Sequence, residues 1–193
     1  MKIVIIDYQM GNVRSVVRSF EKFASNVVVS NNADDLKTAT HIVLPGVGSF
    51  SDGINNLEKS GLIPTLKEEV IQNKIPFLGI CLGMQLLAGV GYEGGEKKGL
   101  DLIPGSVKKM IPQANEPVPH VGWNEIYKKS DHPILNGIND GTDFYFVHSY
   151  HFTPDHQKNA IATTSYLGEF ISIIAENNID LSLFVLNVTQ IDR

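Results

Sequence analysis

The one cysteine of the sequence, Cys81, stands in Gly79-Ile80-Cys81-Leu82-Gly83, at the centre of FLGICLGMQLL. A glycine two residues to either side is the spacing of a sharp strand-to-helix turn that carries a nucleophile, the cysteine form of the G-x-S-x-G elbow. A sulfur at the start of a helix faces unpaired amides and the positive end of the helix dipole, which favours thiolate over thiol. The Leu82 amide of such a turn points at any oxyanion developing on an attacked carbonyl. A lone cysteine in an α/β protein is ordinarily a packing residue; the two flanking glycines turn the reading toward chemistry. A second turn, Pro45-Gly46-Val47-Gly48, can reorient a peptide and offer another oxyanion N–H. The Pro45–Gly48 turn opens neither G-x-G-x-x-G nor G-K-[ST], so a nucleotide phosphate is not the expected ligand there.

These turns need a sheet to hold them. Lys2 to Ile6 is a β-branched run without alternation, the mark of a strand covered on both faces, and Val13 to Ala24 then carries helical spacing. Asn26 to Val29, His41 to Leu44 and Ile75 to Ile80 read as further strands. A helix is expected from about Leu62 to Asn73, and another opens at Met84 to Ala88. Strand and helix alternate over the first ninety residues, so a doubly wound parallel sheet is expected, with ligands at its strand C-termini. In the second half Val118 to Ile126, Asp143 to Tyr150, Ala160 to Tyr166 and Phe170 to Ala175 are strand-like, with turns at Asn136-Gly137 and Asn139-Asp140-Gly141. That half is expected to add mostly antiparallel sheet. Glu93 to Lys98 reads as one exposed loop.

The 193 residues, 42% of them apolar and 19% charged, suit the core of a single domain spanning 1–193. A formal charge of -5 and the lack of a Lys/Arg run argue against nucleic acid as a partner. The start MKIVIID is too short for a signal peptide and no apolar run reaches membrane-spanning length. A cytoplasmic protein without membrane contact is expected. One cysteine makes neither an internal disulfide nor a multi-cysteine metal site.

FLGICLGMQLL, with LPGVGSF before it and VPHVGWNE and YFVHSYHF after it, resembles the class I, triad-type glutamine amidotransferases, and within them the glutaminase subunits that serve histidine biosynthesis. The likeness runs over residues 1–178 and includes IDYQMGN and GLDLIPG. It implies a flavodoxin-like α/β fold, with a central, mostly parallel sheet flanked by helices and a smaller antiparallel sheet. It implies that Cys81 attacks the side-chain amide of glutamine to form a γ-glutamyl thioester, and that the ammonia passes to a (β/α)8-barrel cyclase subunit in a heterodimer. No cofactor is implied. By position, Val47 and Leu82 would supply the oxyanion amides, and Gly48, Gln85, Glu93, Ser149 and Tyr150 would line the glutamine site. Gln85, one helical turn after Cys81, is placed to reach a ligand beside the sulfur.

Members of this family end the last core strand with a segment like GVQFHPEKS, whose His is the general base toward the cysteine and whose Glu orients it. Here Phe170 to Ile179 leads up to that segment. Asp180 to Arg193 (DLSLFVLNVTQIDR) then departs from it: no His follows His156 and no Glu follows Glu176. Nucleophile, base and orienting group act as a unit, so hydrolysis is expected to be severely impaired. His148 and His151 flank the expected pocket, yet strand alternation sets His148 on the face opposite Ser149. His41, His120, His132 and His156 read as structural or surface residues without metal-ligand spacing, and no metal is expected. Three alternatives stand beside the leading reading. One is an ammonia-supplying paralogue for surface-polysaccharide sugars; another is a partner-binding subunit without chemistry. The third is a cysteine elbow acting on a different acyl or carbonyl substrate. Leu181 to Val188 is apolar enough to add β pairing.

Overall fold

In the computed structural model, which describes residues 1–112, 116–176 and 179–182, the first half alternates strands and helices. They run in the order β1 (Ile3–Ile6), α1 (Val13–Glu21), β2 (Val27–Ser30), α2 (Ala33–Lys37), β3 (His41–Gly46), α3 (Phe50–Ser60), α4 (Ile63–Lys67), β4 (Phe77–Cys81) and α5 (Leu82–Gln85). A wider, π-type turn over Glu68–Gln72 continues α4. The second half is nearly all strand: β5 (Val90–Gly91), β6 (Lys97–Lys98), β7 (Gly105–Lys109), β8 (His120–Lys128), β9 (Thr142–His148), β10 (Tyr150–Pro154), β11 (Ala160–Ser165), β12 (Glu169–Glu176) and β13 (Ile179–Ser182).

Nine strands form the main sheet in the order β2-β1-β3-β4-β13-β12-β11-β8-β9. The first five are parallel, and from β12 onward each strand runs antiparallel to its neighbour. The expected α/β class holds, and most of the antiparallel strands continue the central sheet. The separate sheet is small, four strands in the order β10-β7-β5-β6, with β5 and β7 parallel to each other.

β1 is buried at every position because helices cover both faces of the sheet. Ile3 and Ile5 pack in one cluster with Val16 of α1, while Val4 and Ile6 join the larger cluster with Phe50, Ile54 and Leu57 of α3. Period-two geometry thus divides one apolar run between two half-cores.

Helix α3 has no counterpart in the sequence reading. Ser49 caps it by accepting from the Asp52 amide, and Gly61 ends it at φ 71°, both ordinary boundary signals. Its interior Gly53 hid the pattern. A Cβ there would sit 3.0 Å from Leu86 Cδ2, so the glycine lets α3 lie close against the chain that follows the cysteine turn. The expected strand over Asp143 to Tyr150 covers β9 and only the first residue of β10; the chain breaks pairing at Ser149 and moves from the large sheet to the small one. Glu93 to Lys98 is largely a loop, with Lys97 and Lys98 paired to β5. Among the described residues no helix is long and apolar enough to cross a membrane.

Candidate active site

Cys81 ends β4 and caps α5 with φ 54° and ψ -115°, a conformation that a side chain adopts only under local strain of about 1–3 kcal/mol. The surroundings impose it. A Cβ at Gly83 would overlap the Leu44 carbonyl oxygen, so α5 must begin pressed against β3, and the chain has to double back within one residue. Gly46 stands opposite Cys81 in the parallel ladder of β3 and β4. Both glycine-rich turns therefore leave the same edge of the sheet side by side.

Around Cys81 lies a cavity of about 220 Å³ lined by Val47, Gly48, Leu82, Gln85, Glu93, Val147, His148, Ser149 and Tyr150. All the residues named from the sequence meet at this one cavity, and the structure adds Val147 and His148. Gln85 is 5% exposed and donates through Nε2 to the Tyr150 carbonyl, at 3.0 Å. Glu93 reaches in from the loop after β5; its Oε2 accepts from the Phe50 amide at 2.8 Å. That bond places a carboxylate at the N-terminus of α3, the favoured end for negative charge.

The expected thiolate stabilisation is corrected by the structure. Burial pushes the Cys81 thiol above its ordinary pKa, and the Leu82 amide offsets this only in part. Helix α5 is four residues long, too short to carry much of a dipole, while Cys81, half-buried at the cavity, is packed among protein atoms that disfavour the charged form. The reactive thiolate therefore gains population at higher pH than in an ordinary thiol. Alkylation by iodoacetamide is expected to go on accelerating above about pH 8.5, the ordinary cysteine value. Rates followed from pH 6 to 10 test this, and a plateau by pH 8 would contradict it.

The Val47 amide does not face the cavity's oxyanion position. It donates to the Met10 carbonyl at 2.6 Å. Met10 belongs to the turn after β1, which the parallel topology sets beside the end of β3. Gly48, with φ 104°, packs against the Met10 methyl group. The Leu82 amide, by contrast, lies beside the Cys81 sulfur.

His148 lines the same cavity as Ser149, contrary to the expectation that alternation would part them. β9 ends at His148 and β10 starts at Tyr150, so strand alternation lapses between them. The ring is nevertheless committed. Its Nδ1 lies 3.0 Å from the Tyr150 carbonyl, which can only accept, so Nδ1 carries the proton. Its Nε2 then accepts from His120 Nδ1 at 3.0 Å. Burial lowers the His148 pKa to about 4, against a partial opposing effect of the Tyr150 carbonyl. His120 is held in turn by stacking on Tyr166, with centroids 3.9 Å apart. A neutral imidazole with both nitrogens engaged is a structural group, not a free base. His151 lies on β10 opposite Lys108 and does not line the cavity.

The positions 180–193, where the family-type His and Glu were sought, fall outside the described residues beyond Ser182. Backbone pairing shows Ile179–Ser182 beside β4, Ser182 opposite Ile80.

Comparison with known proteins agrees with this geometry. Residues 4–181 match the family described as glutamine amidotransferase class-I. The chain is 47% identical over 149 residues to imidazole glycerol phosphate synthase subunit HisH 1 of Campylobacter jejuni subsp. jejuni, covering 77% of this chain and 74% of the relative. It is 42% identical over 177 residues to subunit HisH of Moorella thermoacetica, covering 92% and 83%. A crystal structure of glutamine amidotransferase superposes with a TM-score of 0.74 over 98% of this chain and 92% of that one. At 12% identity that likeness concerns the fold alone. A cysteine elbow at a parallel-sheet edge, inside a sequence matched almost from end to end, places this chain in the class I glutamine amidotransferase family.

Proposed function

We propose that this chain is a HisH-type glutaminase subunit, which holds glutamine against Cys81 and delivers ammonia to a (β/α)8-barrel cyclase that makes imidazole glycerol phosphate in histidine biosynthesis. The observation that carries this reading is the single cavity joining Cys81, Leu82, Gln85, Glu93, Ser149 and Tyr150. Glutamine's α-amino group is a match for the Glu93 carboxylate, and Gln85 and the Ser149–Tyr150 backbone offer polar contacts to the rest of the amino acid. The Cys81 sulfur attacks the amide carbon and the carbonyl electrons move onto oxygen beside the Leu82 amide. Collapse of this intermediate breaks the C–N bond, and the departing nitrogen needs a proton before it leaves as ammonia. Val47 completes the oxyanion site only if the Gly46–Val47 peptide turns its N–H away from Met10. The form described above is then a resting state.

Hydrolysis is impaired in this reading, because nothing in 180–193 matches the family's His and Glu and His148 is held neutral between two hydrogen bonds.

The partner surface in this reading is the outer face of β8 and β9. Val121 pairs with Val147 and Trp123 with Tyr145 across the ladder, and Trp123 meets Tyr145 edge to face at 5.6 Å. Val121 is 56% exposed and Trp123 51%. Such an apolar patch is uncommon on a free surface, and Val147 also lines the cavity. Ammonia released at Cys81 therefore emerges beside the surface a partner would cover. Mixing the chain with the cyclase subunit of the same pathway is expected to give a one-to-one complex. Trp123→Ala should weaken it about thirtyfold, the loss usual for a central aromatic anchor. Failure of the unaltered chain to associate at micromolar concentration would overturn the partnership.

A further inference from the structure

Tyr8 lies in the turn after β1, is 3% exposed, and its hydroxyl has no hydrogen-bond partner. A buried orphan hydroxyl is destabilising in the state that leaves it unpaired, and its presence calls for an explanation such as another state that uses it. Its position is specific. A Cβ at Gly46 would overlap the Tyr8 Oη and would lie 3.0 Å from Leu82 Cβ and 3.3 Å from the Gly83 amide nitrogen. The hydroxyl therefore fills the corner between the end of β3 and the start of α5, a space that exists because residue 46 lacks a side chain. Gly46 is level with Cys81 and supplies the carbonyl of the peptide whose N–H is Val47's.

We propose that the Tyr8 hydroxyl is the donor that receives the Gly46 carbonyl when the Gly46–Val47 peptide turns its N–H from Met10 toward Cys81, making Tyr8 a positioning residue for the oxyanion site. This rests on the reading of Val47 given above. A planar peptide carries its N–H and C=O on opposite sides. Turning the Val47 N–H into the cavity sends the Gly46 carbonyl toward the β1 side, where the Met10 carbonyl can only repel it. Tyr8 is the neighbour there with a proton to give. Burial holds its phenol far above the ordinary range, with the Cys81 charge adding to the effect, so the donor stays protonated. Satisfying the hydroxyl only in the turned state biases the equilibrium toward it.

The test is Tyr8→Phe in the full chain, probed with glutamate γ-semialdehyde. Cys81 adds to the aldehyde carbon, the carbonyl π electrons move to oxygen, and that oxygen takes up the thiol proton; the resulting thiohemiacetal oxygen occupies the oxyanion site. Tyr8→Phe is expected to weaken semialdehyde binding about tenfold, in line with loss of one buried hydrogen bond. Glutamine affinity and the iodoacetamide rate should stay unchanged, and the melting temperature should hold or rise because an unsatisfied hydroxyl has gone. Unchanged semialdehyde binding would overturn the role. A parallel fall in the iodoacetamide rate would overturn it too, in favour of thiolate stabilisation, and a parallel fall in glutamine affinity would make Tyr8 a packing residue. If the unaltered chain binds neither glutamine nor the semialdehyde, the glutamine reading itself fails and the role of Tyr8 with it.

Discussion

Glutamine hydrolysis by this chain is expected to run at least about a thousandfold below that of an intact family member, even with a cyclase partner bound, the range seen when a member of a catalytic triad is lost. In the reading proposed above, the cavity offers Cys81 as nucleophile and the Leu82 amide as one oxyanion donor. That reading also needs a group to take the thiol proton and return it to the leaving nitrogen. Among the described residues His148 is the one imidazole lining the cavity, and its low pKa and two hydrogen bonds leave it no lone pair for the task. β13 nevertheless reaches to within one residue of the level of Cys81. β13 runs parallel to β4 with Asp180 opposite Leu78 and Ser182 opposite Ile80. Replacing residues 180–193 with a tail beginning G-V-Q-F-H-P-E-K-S puts the histidine at position 184. That is one residue past the position level with Cys81 in this register. The graft is expected to restore partner-stimulated turnover, and Cys81→Ala in the graft should abolish it. Rapid turnover by the unaltered chain, lost on Cys81→Ala, would show that a base exists elsewhere, and His148→Gln would be the next variant to assay.

Gly83→Ala is expected to destabilise the fold by about 3 kcal/mol or more, because its Cβ would overlap a backbone oxygen that cannot move aside. Leu44 is a fully buried residue of β3, paired with Gly79 of β4. Relief would require lifting α5 from the sheet and losing the Cys81 turn with it. Gly61→Ala is the control. Gly61, unlike Gly83, sits at positive φ, 71°, and has open space where a Cβ would go, so its cost is the backbone term alone, about 1 kcal/mol. Denaturant unfolding of both variants separates close approach from backbone conformation. Similar losses in the two would contradict the packing argument.

The cysteine turn was legible because it is local: two glycines around a cysteine after an apolar run define it without any long-range contact. Helix α3 was not, since Gly53, Asn55 and Asn56 interrupt its apolar spacing and its burial depends on the chain after Cys81. The raised thiol pKa was equally hidden, because it depends on burial and on how soon α5 ends. The Val47–Met10 hydrogen bond joins residues from different turns. Doubly wound topology brings such turns to one edge of the sheet, which is the signal that could have paired IDYQMGN with LPGVGSF. The orphan hydroxyl of Tyr8 was beyond a linear reading, for its meaning comes from the absent side chain at Gly46.

The account stands or falls on whether the cavity at Cys81 is a glutamine site, and covalent labelling with a glutamine-derived chloroketone asks this directly. Peptide mass spectrometry is expected to locate the adduct on Cys81, with labelling slowed by glutamine and unaffected by the same concentration of asparagine. Labelling of Cys81 at a rate indifferent to glutamine would contradict it.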